Sequence, residues 1–262
     1  VTGYVFARGA VLQPGQVDAR KLTRINYAFA DIKGGRMVVG TPADAQNLGY
    51  LNGLKSANLR LTVLVSVGGW LGSTNFSDVA LTTESRRVFE ESVMEFLTQY
   101  DLDGLDVDWE HPGLPGAGHP FRAEDKQNFT SLLEELRERF DARAKKTGRR
   151  LYLTVAMGAS DEVIAHTEMQ QVQKYVDTVN LMTYDYYVAG SDASTGHHAP
   201  LFANPADPKK ASSDETVRAF EKAGVPASKI LLGVPFYGYE WGEVPDQNHG
   251  LFQPGKPLPG AN

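Results

Sequence analysis

There is no cysteine among the 262 residues of this chain. That excludes disulfide staples, thiolate metal centres and cysteine nucleophiles, while leaving the compartment open, because a domain of this size can bury enough apolar surface to fold without bridges. Long apolar runs are also missing, and none approaches the roughly 20 residues that a membrane-spanning helix requires. The first residues carry no basic-then-apolar leader, as in a chain that is not exported or one that begins at a mature terminus. No basic block occurs either. With 26 Lys and Arg against 32 Asp and Glu, the net charge is −6, so neither nucleic acid nor an anionic membrane is an expected partner.

What the chain does contain is a regular alternation. Short β-branched and aromatic runs at Tyr4–Ala7, Arg24–Ala30, Arg60–Val67, Gly104–Trp109, Leu151–Ala156, Thr178–Thr183 and Ile230–Pro235 read as strands. Several are almost continuously apolar, as strands of a parallel sheet covered on its face by helices must be. Between them lie helical patterns. Glu84–Gln99 places Val88, Val93, Phe96 and Leu97 on one stripe, with Thr83 or its neighbour as cap. Glu124–Ala144 sets Phe129, Leu132, Leu133, Leu136 and Phe140 at helical spacing and stops at Thr147-Gly148. Asp161–Val176 and Asp214–Ala223 follow. Repeated βα units predict an α/β fold with a parallel sheet, and their number favours a TIM-type (β/α)8 barrel over an open sheet. Residues 1–242 read as that barrel. Residues 243–262, with Pro245, Pro254, Pro257 and Pro259 and no clear period, read as loop.

The densest chemistry lies in Asp103-Gly104-Leu105-Asp106-Val107-Asp108-Trp109-Glu110. On a strand, Asp106, Asp108 and Glu110 share one face, and Leu105, Val107 and Trp109 the other. Acids stacked on one face repel, so at least one should keep its proton well above the ordinary carboxylate range. A surface strand gains nothing from this, whereas an enzyme needing a neutral carboxylic acid at pH 7 does. Other strand ends are also rich: Ser66-Val67-Gly68-Gly69-Trp70, Met182-Thr183-Tyr184-Asp185-Tyr186 and Pro235-Phe236-Tyr237-Gly238-Tyr239. Chemistry gathers at these ends in barrels. Aromatic rings there suit the apolar faces of sugars, and carboxylates and phenols suit their hydroxyl and amide groups.

These motifs resemble those of the family 18 glycoside hydrolases, most of all the bacterial chitinases. Asp103, Asp106, Asp108 and Glu110 match the Asp-x-x-Asp-x-Asp-x-Glu pattern. Ser66-x-Gly68-Gly69 matches the motif on the third strand, and Met182-x-Tyr184-Asp185 that on the sixth. The resemblance implies a secreted hydrolase of chitin or chitooligosaccharides that needs no cofactor and no metal. Glu110 would protonate the glycosidic oxygen while the N-acetyl carbonyl of the sugar attacks the anomeric carbon. Asp108 would orient the acetamido N–H, Asp106 would share a proton with Asp108, Tyr184 would donate to the acetamido carbonyl, and Asp185 would assist that amide or Glu110. Asp103 is off the parity of the other acids and is expected to bond backbone or Ser66. Trp70 is expected to stack on sugar. Tyr4, Phe29, Met182, Tyr237 and Tyr239 either line subsites or pack the core, and Trp241 is equally open. His197-His198, His111 and His119 match no metal-binding spacing.

Two departures from the family stand out. Many relatives follow Phe-Tyr-Gly with arginine, where this chain has Tyr239. Only seven strands can be counted, so the barrel is expected to be truncated after the seventh. The tail then reads as the start of an α+β insertion, and the molecule as a monomer or as one completed by a further C-terminal segment. A chitooligosaccharide-binding lectin on the same fold and an endo-β-N-acetylglucosaminidase acting on N-glycans are the competing readings; retention of Glu110 argues against the first.

Overall fold

The computed structural model describes residues 1–258. In chain order it contains β1 (Thr2–Phe6), β2 (Arg24–Lys33), β3 (Arg36–Val39), α1 (Asp44–Gly53), β4 (Thr62–Gly68), α2 (Phe76–Ala80), α3 (Thr83–Gln99), β5 (Gly104–Asp108), α4 (Asp125–Thr147), β6 (Tyr152–Gly158), α5 (Asp161–Ala165), α6 (Met169–Tyr175), β7 (Thr178–Met182), α7 (Ser213–Lys222), β8 (Ile230–Leu232), β9 (Trp241–Gly242) and β10 (Lys256–Pro257). The seven expected strands pair in parallel in the order β1-β2-β4-β5-β6-β7-β8, and β3 folds back antiparallel onto β2. This is a TIM-type sheet, curled and clothed by helices. It is left open between β1 and β8, which do not pair with each other among the described residues.

The alternation along each strand decides what faces where. Val63, Val65 and Val67 of β4, Leu105 and Val107 of β5, and Leu153, Val155 and Met157 of β6 are buried in one continuous cluster with Phe89, Val93, Phe96 and Leu97 of α3 and Phe129, Leu132, Leu133, Leu136 and Phe140 of α4. The intervening residues of the same strands point into the barrel. Thr82 caps α3 by accepting from Ser85 N, while Ser85 Oγ reciprocates on Thr82 N. Phe89 rather than Val88 lies on the buried stripe of α3. Gly148, left-handed at φ +72°, ends α4.

Two expectations require correction, and one element was not among them. The single helix expected over Asp161–Val176 is two, α5 and α6, because the chain turns through His166–Glu168 to lay Met169 and Val172 into the core. The tail is not featureless loop: β9 and β10 form a short antiparallel pair, and Thr195 ties the segment to the barrel through Gly250 O and Gln253 N. Pro259 and the rest of 259–262 lie outside the described residues. The element that no expectation covered is the β2–β3 hairpin, whose return strand, Arg36–Val39, is too short to show a period. At the open side, the outward face of β8 and its continuation exposes Leu232, Val234 and Phe236.

Candidate active site

Trp109 is the outer anchor of the carboxylate run. Its ring stacks on Phe76 at 5.2 Å and meets Phe129 edge-on at 5.8 Å, fully inside the helix-side core. Truncating such a ring typically costs about 3–5 kcal/mol. Since neighbours on a strand face opposite ways, seating Trp109 outward turns Asp108 and Glu110 inward.

The three inward acids differ in their surroundings. Asp106 is fully buried and receives four donors: Tyr4 Oη (2.9 Å) and Ser66 Oγ (2.8 Å) on Oδ2, Asn180 Nδ2 (3.0 Å) and Thr154 Oγ1 on Oδ1. Burial raises its pKa, and the hydrogen bonds from Thr154, Ser66 and Tyr4 with the Arg24 charge offset only part of that rise. Asp108, equally enclosed, has an Oδ1 with no partner. Burial, then the Glu110 and Asp106 charges, push it well above the carboxylate range. Both oxygens of Asp106 are already taken, which leaves little room for the proton sharing expected between the two.

Glu110 lies two residues beyond the end of β5. Its amide donates to Ser73 Oγ at 2.9 Å, fixing the exit of the strand. Burial, reinforced by the Asp185 charge, raises its carboxyl to about 7. His111 Nε2 lies 3.8 Å from Glu110 Oε2. It supplies no opposing charge, because burial lowers its own pKa to about 4.

The end of β4 is shaped by backbone proximity. A Cβ on Gly68 would lie 2.1 Å from Asp108 O, and one on Gly69 would lie 2.8 Å from the Phe29 ring; both glycines have positive φ. Gly69 N instead donates to Asp108 O at 2.8 Å. The Gly68-Gly69 pair thus lets one loop close over the neighbouring strand end. Trp70 then emerges half exposed. Its carbonyl accepts from His119 Nε2 at 2.6 Å, and the other ring nitrogen of His119 accepts from Thr74 Oγ1 at 2.8 Å.

At the end of β7, Tyr184 is held as a neutral donor: burial and the Asp108 and Glu110 charges raise its pKa strongly. Met182 is half-buried at the last strand position. Asp185, at φ +59°, accepts from Tyr237 Oη and Tyr239 Oη, each at 2.8 Å. Asp103 lies apart from these groups. It accepts from Val63 N at 2.8 Å and pairs with Lys55 and Arg149, while Ser66 turns to Asp106 instead.

The model of the Glycosyl hydrolases family 18 matches residues 1–258. The chain belongs to that family. It is 36% identical to chitinase A1 of Niallia circulans over 94% of its own length and 43% of that protein. A family 18 N-acetylglucosaminidase from Paenibacillus barengoltzii superposes with a TM-score of 0.89 at 40% identity, covering 98% of this chain and 76% of the other. A Nicotiana class V chitinase solved with NAG4 gives 0.86 at 30% identity, covering 98% and 72%. The chain spans about half the length of the curated relatives it matches.

For a family 18 member, then, the structure adds Ser73, Thr154, Asn180, His119 and His198 to the residues legible in sequence. Thr154 and Asn180 stand at inward positions of β6 and β7, and only the register, Asp106 opposite Thr154, reveals that they converge on one carboxylate. His198 lies with Nδ1 3.5 Å from Asp185 Oδ1. Among the described residues, no three His, Asp or Glu side chains are grouped so as to hold a metal ion.

Proposed function

We propose that this chain hydrolyses β-1,4-linked N-acetylglucosamine in chitin or chitooligosaccharides, with retention, using Glu110 as general acid. One observation carries the reading. A carboxyl poised near neutrality, Glu110, shares the site with an enclosed Asp108 that has an unpartnered oxygen and with a phenol, Tyr184, that burial keeps neutral. An acetamido group supplies what the site lacks: its N–H satisfies Asp108 Oδ1, and its carbonyl accepts from Tyr184. Held this way, the carbonyl oxygen attacks the anomeric carbon as Glu110 gives its proton to the leaving oxygen, forming an oxazolinium ion. Glu110, now a base, then activates water to open the ring. The anion at Asp106 offsets the positive charge developing on the ring. Trp70, exposed at the rim, offers a flat face to a neighbouring sugar. Chitin is an insoluble polymer, so the reaction belongs outside the cell.

A second reading is favoured by the 40% identity to an N-acetylglucosaminidase: removal of single sugars from chain ends in place of internal cleavage. An assay on chitin, a chitohexaose, an aryl N-acetylglucosaminide and an N-glycosylated protein, each with Glu110→Gln as control, separates the possibilities. Shortening of hexaose to dimers and trimers supports the endo reading, and monomer as the first product supports the exo reading. Cleavage of the glycoprotein alone would overturn both. Binding without cleavage by the unaltered chain would make it a lectin.

A further inference from the structure

Asp185 leaves β7 with a left-handed backbone, a conformation that aspartate tolerates better than most residues. Its carboxylate is held on both oxygens from the segment that follows β8: Tyr237 Oη on Oδ2 and Tyr239 Oη on Oδ1. The His198 ring packs edge-on against these two tyrosines at 5.0 and 5.1 Å, beside an Asp185 side chain that remains 40% exposed. The groups facing Asp185 are therefore Tyr184, Tyr237, Tyr239 and His198. Those facing Glu110 are Asp108, Asp185, Tyr184 and His111. Among the described residues, neither carboxylate is paired with a lysine or arginine.

Building on the reading of Glu110 as proton donor, we propose that Tyr239, flanked by Tyr237 and His198, is a positioning residue that fixes Asp185 through an uncharged hydroxyl, leaving its negative charge free to act on Glu110 and so setting the alkaline limit of the reaction. A cation at position 239 would satisfy the same oxygen and also cancel the charge. A phenol satisfies the oxygen and cancels nothing. Tyr239 is suited to that part, because burial and Asp185 both push its pKa up and keep it a donor. Asp185 in turn adds to burial in keeping the Glu110 proton in place.

The test is the pH dependence of kcat on a soluble chitooligosaccharide. Tyr239→Arg should move the alkaline limb down by about one pH unit, the effect of an opposite charge brought close to a carboxyl pair. Tyr239→Phe should lower kcat several-fold in the native background and have no further effect once Asp185→Asn has removed the charge to be positioned. An alkaline limb unmoved in a folded Tyr239→Arg overturns the proposal, as does an equal loss from Tyr239→Phe in both backgrounds. If Tyr239→Arg does not fold, the second comparison decides alone. Glu110→Gln separates the two layers. Full activity in that variant removes the donor reading and this inference with it, whereas an inactive Glu110→Gln beside an unmoved limb removes this inference only.

Discussion

Asp106 and Asp108 stand two residues apart on β5 and face the same interior, yet Asp106 takes four hydrogen-bond donors while Asp108 has an oxygen with none. The strand supplies two identical groups, and the neighbouring strands make them different. The donors around Asp106 oppose the cost of burying its charge, whereas Asp108 has no such help at Oδ1.

Removing one wall of the cage should weaken the ionised state of Asp106. Thr154→Val keeps the shape of the side chain and deletes the hydroxyl that donates to Oδ1. A lost hydrogen bond to a buried charge costs about 1.5–3 kcal/mol, which for a domain of this size lowers the melting temperature by roughly 5 °C. Thermal melting at pH 7 checks this; an unchanged midpoint would mean that Asp106 is neutral or that its other donors suffice.

The rate should depend on pH through Glu110 in a definite direction. On the proposed role of Glu110 the protonated acid is the active form; with its carboxyl raised to about 7, kcat should be constant below neutrality on this limb and fall tenfold per unit above it. Glu110→Gln should lower kcat by about 10²-fold or more and lose the limb, with binding of chitooligosaccharide retained. An alkaline limb first appearing above pH 9 would count against this assignment.

His119 holds the rim and touches none of the catalytic acids. Its two ring nitrogens pin the Trp70 carbonyl and Thr74. His119→Ala should therefore raise KM about 3- to 10-fold, the cost of ordering a stacking residue anew on each binding event, and leave the alkaline limb where it was. A selective fall in kcat would show instead that the loop positions Glu110.

Stability should carry its own pH signature, away from the site. Glu90, buried between α3 and α4, bonds Arg139, yet burial and the nearby Glu135 raise it to about 7. In the unfolded chain it titrates near the ordinary glutamate value, about 4.3. The folded state therefore binds the proton more tightly, and the stability this confers, full below pH 4, is lost as pH rises through 7. Melting curves at pH 5 and pH 8 should show a smaller drop for Glu90→Gln than for the unaltered chain. Parallel drops would mean that the Arg139 charge already compensates Glu90.

The strands, their parallel pairing and the inward face of Asp106, Asp108 and Glu110 were legible along the chain because each follows from period-two alternation and from local apolar runs. The family followed from three short motifs in order. The partners of the acids were not legible: Thr154, Asn180 and Ser73 come from elements 37 to 74 residues from the groups they serve, and only the register of the sheet and the path of the loops bring them together. Sequence alone determined the family, through the motifs around Ser66, Glu110 and Tyr184, and which of their side chains share a strand face. The tertiary structure decided how differently Asp106 and Asp108 are surrounded, because that depends on desolvation and on donors delivered across space.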